Sequence, residues 1–159
     1  MKVWPLAVTV LLAAASQAGA DAKDVTVLLD GVTKIAAPGV PGPLCVFGPG
    51  ALAVVTGGAG DNLREPVVAA ARMGKGRVVA FGHTDYFNAR VLGGNATDTG
   101  RLMTNAVRWA AGAAAKPVVG VHQAQGLLGF LQGKGFKTVS LAGTEWQKDL
   151  RGVNVLCTD

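Results

Sequence analysis

The sequence predicts an α/β domain with a partly parallel sheet and flanking helices, and three stretches carry that expectation. From Val118 to Cys157, strand-like and helix-like segments alternate as β-α-β-α-β, the order that joins parallel strands through crossover helices. Residues 74–87 read as a glycine turn, a continuous apolar strand (Val78, Val79, Ala80, Phe81) and a polar loop with His83, Asp85 and Tyr86. Residues 101–111 place Leu102, Ala106, Val107, Trp109 and Ala110 on one face at helical spacing. A continuous apolar strand is expected to be covered on both faces. Residues 78–81 and 118–121 are therefore expected side by side in one parallel sheet, with His83 and His122 on its C-terminal rim. In open α/β sheets ligands bind at that rim.

Taken in order, residues 1–20 combine Lys2, an apolar stretch over 6–15 and the small residues Ala18, Gly19 and Ala20. These are the three parts of a secretory signal peptide, and the mature chain is expected to start at Asp21. The apolar stretch is shorter than the roughly 20 residues of a membrane span. The expected setting is secreted or extracellular, or periplasmic in a bacterium.

Residues 21–115 are expected to form an N-terminal β-rich subdomain with one helix. Strands are read over 24–29, 44–47 and 51–55, the last two joined tightly through Gly48, Pro49 and Gly50. The Pro/Gly segment 37–43 excludes helix and central strand. Alanine-rich 65–73 reads as a short helix or irregular segment, 78–81 as the strand, 88–94 as a loop, and 101–111 as a helix capped by Asp98 or Thr99.

Residues 116–159 begin the alternating unit. It comprises a strand at 118–121, a helix at 123–133 with Leu127, Leu128 and Leu131 inward, and a strand at 137–141. A short helix follows Thr144 and carries Trp146 and Leu150, and 153–157 is the last strand. No helix follows that strand to cover it, so the sheet is expected to be incomplete at the C-terminus, as in a fragment of a longer protein or an unusually small sheet.

Composition narrows the function classes. Fifteen Lys and Arg against ten Asp and Glu give a net charge of +5, spread along the chain with no basic run and no interleaved aromatics, so nucleic acid is not an expected partner. Thr56, Gly57, Gly58, Ala59 and Gly60 follow a strand, but Asp61, Asn62 and Leu63 stand where a dinucleotide fingerprint needs its last glycine and helix start. Asn95, Ala96 and Thr97 form an N-glycosylation triplet, which matters only in a eukaryotic secretory pathway. Cys45 and Cys157 leave two readings open, a disulfide in an oxidising compartment or two buried free thiols.

Catalytic constellations are hard to assemble. A nucleophilic cysteine needs a sharp strand–helix turn with His and a carboxylate nearby. Cys157 lies two residues from the last residue, and Cys45 has no helix behind it. His83, His122 and Asp85 allow a two-His, one-carboxylate metal set, against the plainer reading of two histidines bonded to loop backbone. Asp85, Asp98 and Glu145 offer no spacing that selects a glycosidase pair. No metal and no cofactor is expected.

The motifs Pro41-Gly-Pro-Leu44, Phe47-Gly48, Pro66-Val-Val-Ala-Ala-Ala-Arg72, Gly74-Lys-Gly-Arg-Val-Val-Ala-Phe-Gly-His83 and Asn105-Ala-Val-Arg-Trp109 together resemble the N-terminal region of the TRP channel-associated factor family. They are also similar to the region that precedes the metallopeptidase domain of enhancin-like, mucin-degrading peptidases. Gly126-Leu-Leu-Gly-Phe-Leu131, Gly133-Lys-Gly-Phe136 and Val155-Leu-Cys-Thr-Asp159 extend the likeness over nearly the whole mature chain. The resemblance implies a class I glutamine-amidotransferase-like, flavodoxin-like domain that serves recognition rather than amide hydrolysis. Two departures stand out. The channel-associated factors act inside cells, whereas this chain carries a signal-like start, and no His-Glu-x-x-His occurs anywhere.

The function expected is thus a secreted, non-catalytic recognition module for a protein, glycan or cell-surface partner. Its binding residues are expected at the strand ends: His83, Thr84, Asp85, Tyr86 and His122. The alternative is a secreted hydrolase, or the front end of a mucin-degrading metallopeptidase.

Overall fold

The computed structural model describes residues 20–39, 42–57 and 64–159. The signal-like segment and most of the glycine-rich loop at 56–60 lie outside the described residues. In order, the elements are α1 (Ala22–Leu28), β1 (Ala51–Gly57), β2 (Glu65–Met73), β3 (Gly76–Phe81), a 3-10 turn (Thr84–Phe87), α2 (Ala89–Gly93), α3 (Thr99–Ala111), β4 (Val118–His122), α4 (Gln125–Gly133), β5 (Lys137–Leu141), a second 3-10 turn (Trp146–Leu150) and β6 (Val155–Thr158).

The chain is α/β, and α3 is shared between two three-stranded sheets. The first has the order β1-β2-β3 and is antiparallel throughout. The second has the order β5-β4-β6 and is parallel throughout. Leu102, Ala106 and Trp109 of α3 pack with Leu28, Val67, Val68 and Ala70 beneath the first sheet. Met103 and Val107 pack with Val119, Val121, Leu127, Leu131 and Val155 of the second. Phe81 and Ala110 touch both clusters and join them. Leu127 and Leu131 are fully buried, and each contributes about 1.5–3 kcal/mol by leaving water.

The second sheet forms much as its sequence period predicts. Strands, crossover helix and second 3-10 turn lie within two residues of their expected bounds, with the last strand shifted to Val155–Thr158. The α4 helix ends in a Schellman motif: Phe136 N–H donates to the Leu131 carbonyl at 3.0 Å and Gly135 N–H to Gln132 at 2.9 Å. This closure needs the left-handed φ of 80° at Gly135.

The first sheet corrects several expectations. Residues 78–81 and 118–121 lie in separate sheets, and β3 is the edge of an antiparallel hairpin rather than a doubly covered parallel strand. Val78 is 47% exposed, so only one face of β3 is covered. Residues 65–73 form a strand, because Val68 and Ala70 must alternate into the core and Ala69 and Ala71 pair across both neighbours. Here the long-range ladder overrides the helix preference of alanine.

Residues 24–28 lie in a helix, capped by Leu29, instead of a strand, for reasons both local and long-range. Asp21 and Asp24 build a capping box in which the Asp21 side chain accepts from the Lys23 and Asp24 amides, and Asp24 Oδ2 accepts from Asp21 N–H at 3.2 Å. The buried Asp24 carboxylate then takes two charge-assisted bonds from Arg72 of β2, at 2.7 and 2.6 Å, and one from Trp109 Nε1 of α3 at 2.8 Å. Helical spacing puts Asp24 and Leu28 on the same inward face. Bonding from Arg72 in particular holds the Asp24 carboxyl far below the usual carboxylate range.

Smaller corrections follow from local bonds. Residues 44–47 make no strand, and Leu44 N–H bonds instead to the Pro66 carbonyl at 2.8 Å. The expected loop at 88–94 holds the short helix α2, whose Arg90 amide is capped by the Asn88 side chain. Asp98 sits at the N-cap of α3, yet its side chain turns away and accepts from Thr33 N–H, Thr33 Oγ1 and Lys34 N–H. Those bonds, the Thr33 amide first, lower its pKa. They fasten the chain after α1 to the start of α3.

Candidate functional site

In the second sheet the chain goes from β4 to β5 on one side and returns to β6 on the other. The C-terminal ends of β4 and β6 therefore lie at a change of direction in strand order, the kind of position where open α/β sheets bind ligands. His122 ends the ladder of β4 and pairs in register with Thr158 of β6. His122 Nδ1 and Thr158 Oγ1 share a hydrogen bond of 3.2 Å. The imidazole stacks on Trp146 of the second 3-10 turn, with centroids 4.7 Å apart and planes at 28°. Gln123 follows, exposed, with φ of 57°, in the left-handed region that non-glycine residues rarely adopt. Backbone strain of this kind clusters at binding sites.

The β3 end is built differently. His83 is the N-cap of the first 3-10 turn, and its Nδ1 accepts from Asp85 N–H at 3.0 Å. That bond leaves the proton of the neutral ring on Nε2. The Asp85 carboxylate lies 3.6 Å from Nδ1 and is half exposed. Gly39 backs onto the imidazole so closely that an added Cβ would lie 2.9 Å from the ring. Thr84 is exposed, whereas Tyr86 is buried against Phe81 with centroids 5.6 Å apart, and burial raises its pKa.

The five expected residues therefore form two groups rather than one rim. His83, Thr84 and Asp85 follow the antiparallel sheet, Tyr86 is core, and His122 alone stands at the end of a parallel strand. The two groups approach each other where the first 3-10 turn leads into 87–89, against which Gly126 of α4 packs. An added Cβ there would lie 2.5 Å from the Phe87 carbonyl oxygen and 2.7 Å from the Ala89 nitrogen. Among the described residues no group of three His, Cys, Asp or Glu is placed to hold a metal ion. Sequence reasoning missed Trp146, Thr158 and Gln123. No local signal could have found the first two, because right-handed crossovers allow the third strand of a β-α-β-α-β unit to lie beside either of the other two, and the order β5-β4-β6 is fixed by tertiary packing.

Neither cysteine is bridged. Cys45 is exposed and Cys157 half-buried, so the reading of two buried thiols holds for neither in full. Burial pushes the Cys157 thiol up to about 11.

Comparison with known families decides what kind of chain this is. A family described as TRPM8, N-terminal domain (TCAF_N) matches residues 4–158. The chain belongs to the TCAF_N family. The match supports the channel-associated-factor half of the resemblance; nothing supports the enhancin-like half. No curated protein and no solved structure matches the chain. No described helix of this TCAF_N chain is long and apolar enough to cross a membrane.

Proposed function

We propose that this TCAF_N chain is a secreted, non-catalytic recognition domain that binds a protein, glycan or cell-surface partner at the C-terminal ends of β4 and β6. The observation that carries the reading is the His122–Trp146 stack beside Thr158 at these strand ends. An aromatic plane with a polar tip suits contact with a partner surface. The family name, TRP channel-associated factor, favours a protein partner of the TRP-channel class. The β5-β4-β6 order supports reading 116–159 as the start of a glutamine-amidotransferase-like, flavodoxin-like unit.

Recognition is favoured over hydrolysis by the state of the thiol. Burial pushes the Cys157 thiol up to about 11, which disfavours the thiolate that a cysteine nucleophile needs. The Nδ1 of His122 is engaged by a threonine, and that of His83 by a backbone amide.

The test is biolayer interferometry of the secreted chain against a mucin-type glycoprotein, its deglycosylated form and a solubilised TRP channel. Binding to one of these, weakened at least tenfold by Trp146→Ala and His122→Ala with unfolding temperatures retained, is the expected result. Binding unchanged by both variants, or release of an amide or sugar product, contradicts it. N-terminal sequencing of the secreted chain should begin at Asp21.

A further inference from the structure

The strands β3 and β6 are the outer edges of their sheets, and among the described residues no strand pairs with either outer edge. Between them lies a cleft of about 330 Å³. Its floor is α3, through Met103, Ala106, Val107 and Ala110, and its walls include Val78 and Leu156. These two walls are 47% and 40% exposed and are among the few large apolar side chains left open to water. An open strand edge offers a row of unpaired N–H and C=O groups, a template for extended polypeptide.

The cleft is charged at one end only. Among the described residues Arg77 is the only charged side chain lining it. One of its N–H groups donates to the Trp109 carbonyl at 2.6 Å, and the guanidinium lies 5.4 Å from the Trp109 ring centroid. It has no carboxylate partner among the described residues, so most of its five donors remain for one. Asn154 marks the same end. It bonds to both backbone groups of Val118 where β4 starts, just after the turn from the α3 C-terminus that Arg77 contacts.

We infer that this cleft docks an extended segment of a protein partner, which adds to β6 as the next strand and sets a carboxylate on Arg77. The four residues of β6 span about 13 Å, so four or five partner residues fill the ladder. Addition parallel to β6 places the acidic residue at the N-terminal end of the segment. Apolar side chains of the segment then meet the exposed walls at Val78 and Leu156. This surface touches the His122–Trp146 rim only at Thr158, and the inference rests on the β6 edge and Arg77 rather than on that rim.

The test is titration of the 15N-labelled full chain with the N-acetylated hexapeptide Asp-Val-Thr-Val-Thr-Val. The expected result is shift changes confined to β3, β6 and the facing side of α3. Replacing Asp by Lys in the peptide, or Arg77→Ala in the protein, should weaken binding about tenfold. Proline at the third position, which removes a ladder donor, should weaken it further. Leu156→Glu, at an exposed site that leaves the fold intact, should block binding while thermal unfolding is retained. No shifts at millimolar peptide, shifts centred on His122 and Trp146 instead, or equal affinity for the Asp and Lys peptides would overturn the inference.

Discussion

The two sheets that share α3 are held by different physics. The parallel sheet rests on aliphatic packing: Val119, Val121, Leu127 and Leu131 are buried, with no charge among them. The antiparallel sheet is built from small side chains and is pinned from below by the Asp24–Arg72–Trp109 cluster, with Arg72 and Arg77 both lying over the indole. Alanine and valine strands bury too little surface to fix their own register firmly. A charge-assisted cluster tying α1, β2 and α3 together supplies that directionality. The candidate binding groups lie where the aliphatic sheet ends, at His122, and along the open edges at β3 and β6.

The contrast breaks most severely at Asp24. Asp24→Asn leaves Arg72 without its carboxylate in a half-buried site and should cost about 3 kcal/mol, read by urea unfolding. The pH dependence has a definite sign. Because the folded pKa of Asp24 is depressed, its contribution is fully present above the unfolded value of about 4 and is lost as pH falls through the folded value. Wild type should therefore lose more stability than Asp24→Asn between about pH 5 and pH 2. Parallel acid titrations for the two proteins would remove the cluster from the account.

A smaller pair of effects tests the aliphatic side. Gly126→Ala would drive a Cβ into the Phe87 and Ala89 backbone and should destabilise by about 1–3 kcal/mol. Gly129→Ala, on the same helix with nothing within 4 Å, should stabilise by about 0.5–1 kcal/mol. Thermal unfolding of both variants checks the opposite signs.

The same contrast explains what the sequence made legible. Residues 118–158 show their strands and helix because parallel strands and amphipathic crossovers carry local periods, and the glycine at 135 ends α4 as expected. The first half hides its fold in distant contacts. Val25, Val27 and Leu29 alternate like a strand, and the Asp21–Asp24 capping box together with the partners of Asp24, on β2 and α3, makes that stretch a helix. Alanine-rich 65–73 looks helical until β1 and β3 flank it. His122 was legible as a residue at a parallel strand end, but its stack on Trp146 depends on where β6 and the second 3-10 turn settle. His83 looked equivalent and is not, because its strand belongs to the other sheet.

Amide hydrogen exchange bears most directly on recognition at the parallel sheet's end. The full chain would be measured alone and with whichever glycoprotein or channel preparation it binds, and the recovered partner weighed by mass spectrometry. Slowed exchange at 122–126, 146–150 and 158, with β1 and β2 unchanged and the partner intact, is the predicted result. Protection confined to β1 and β2, or a partner returned with a bond cut, would contradict it.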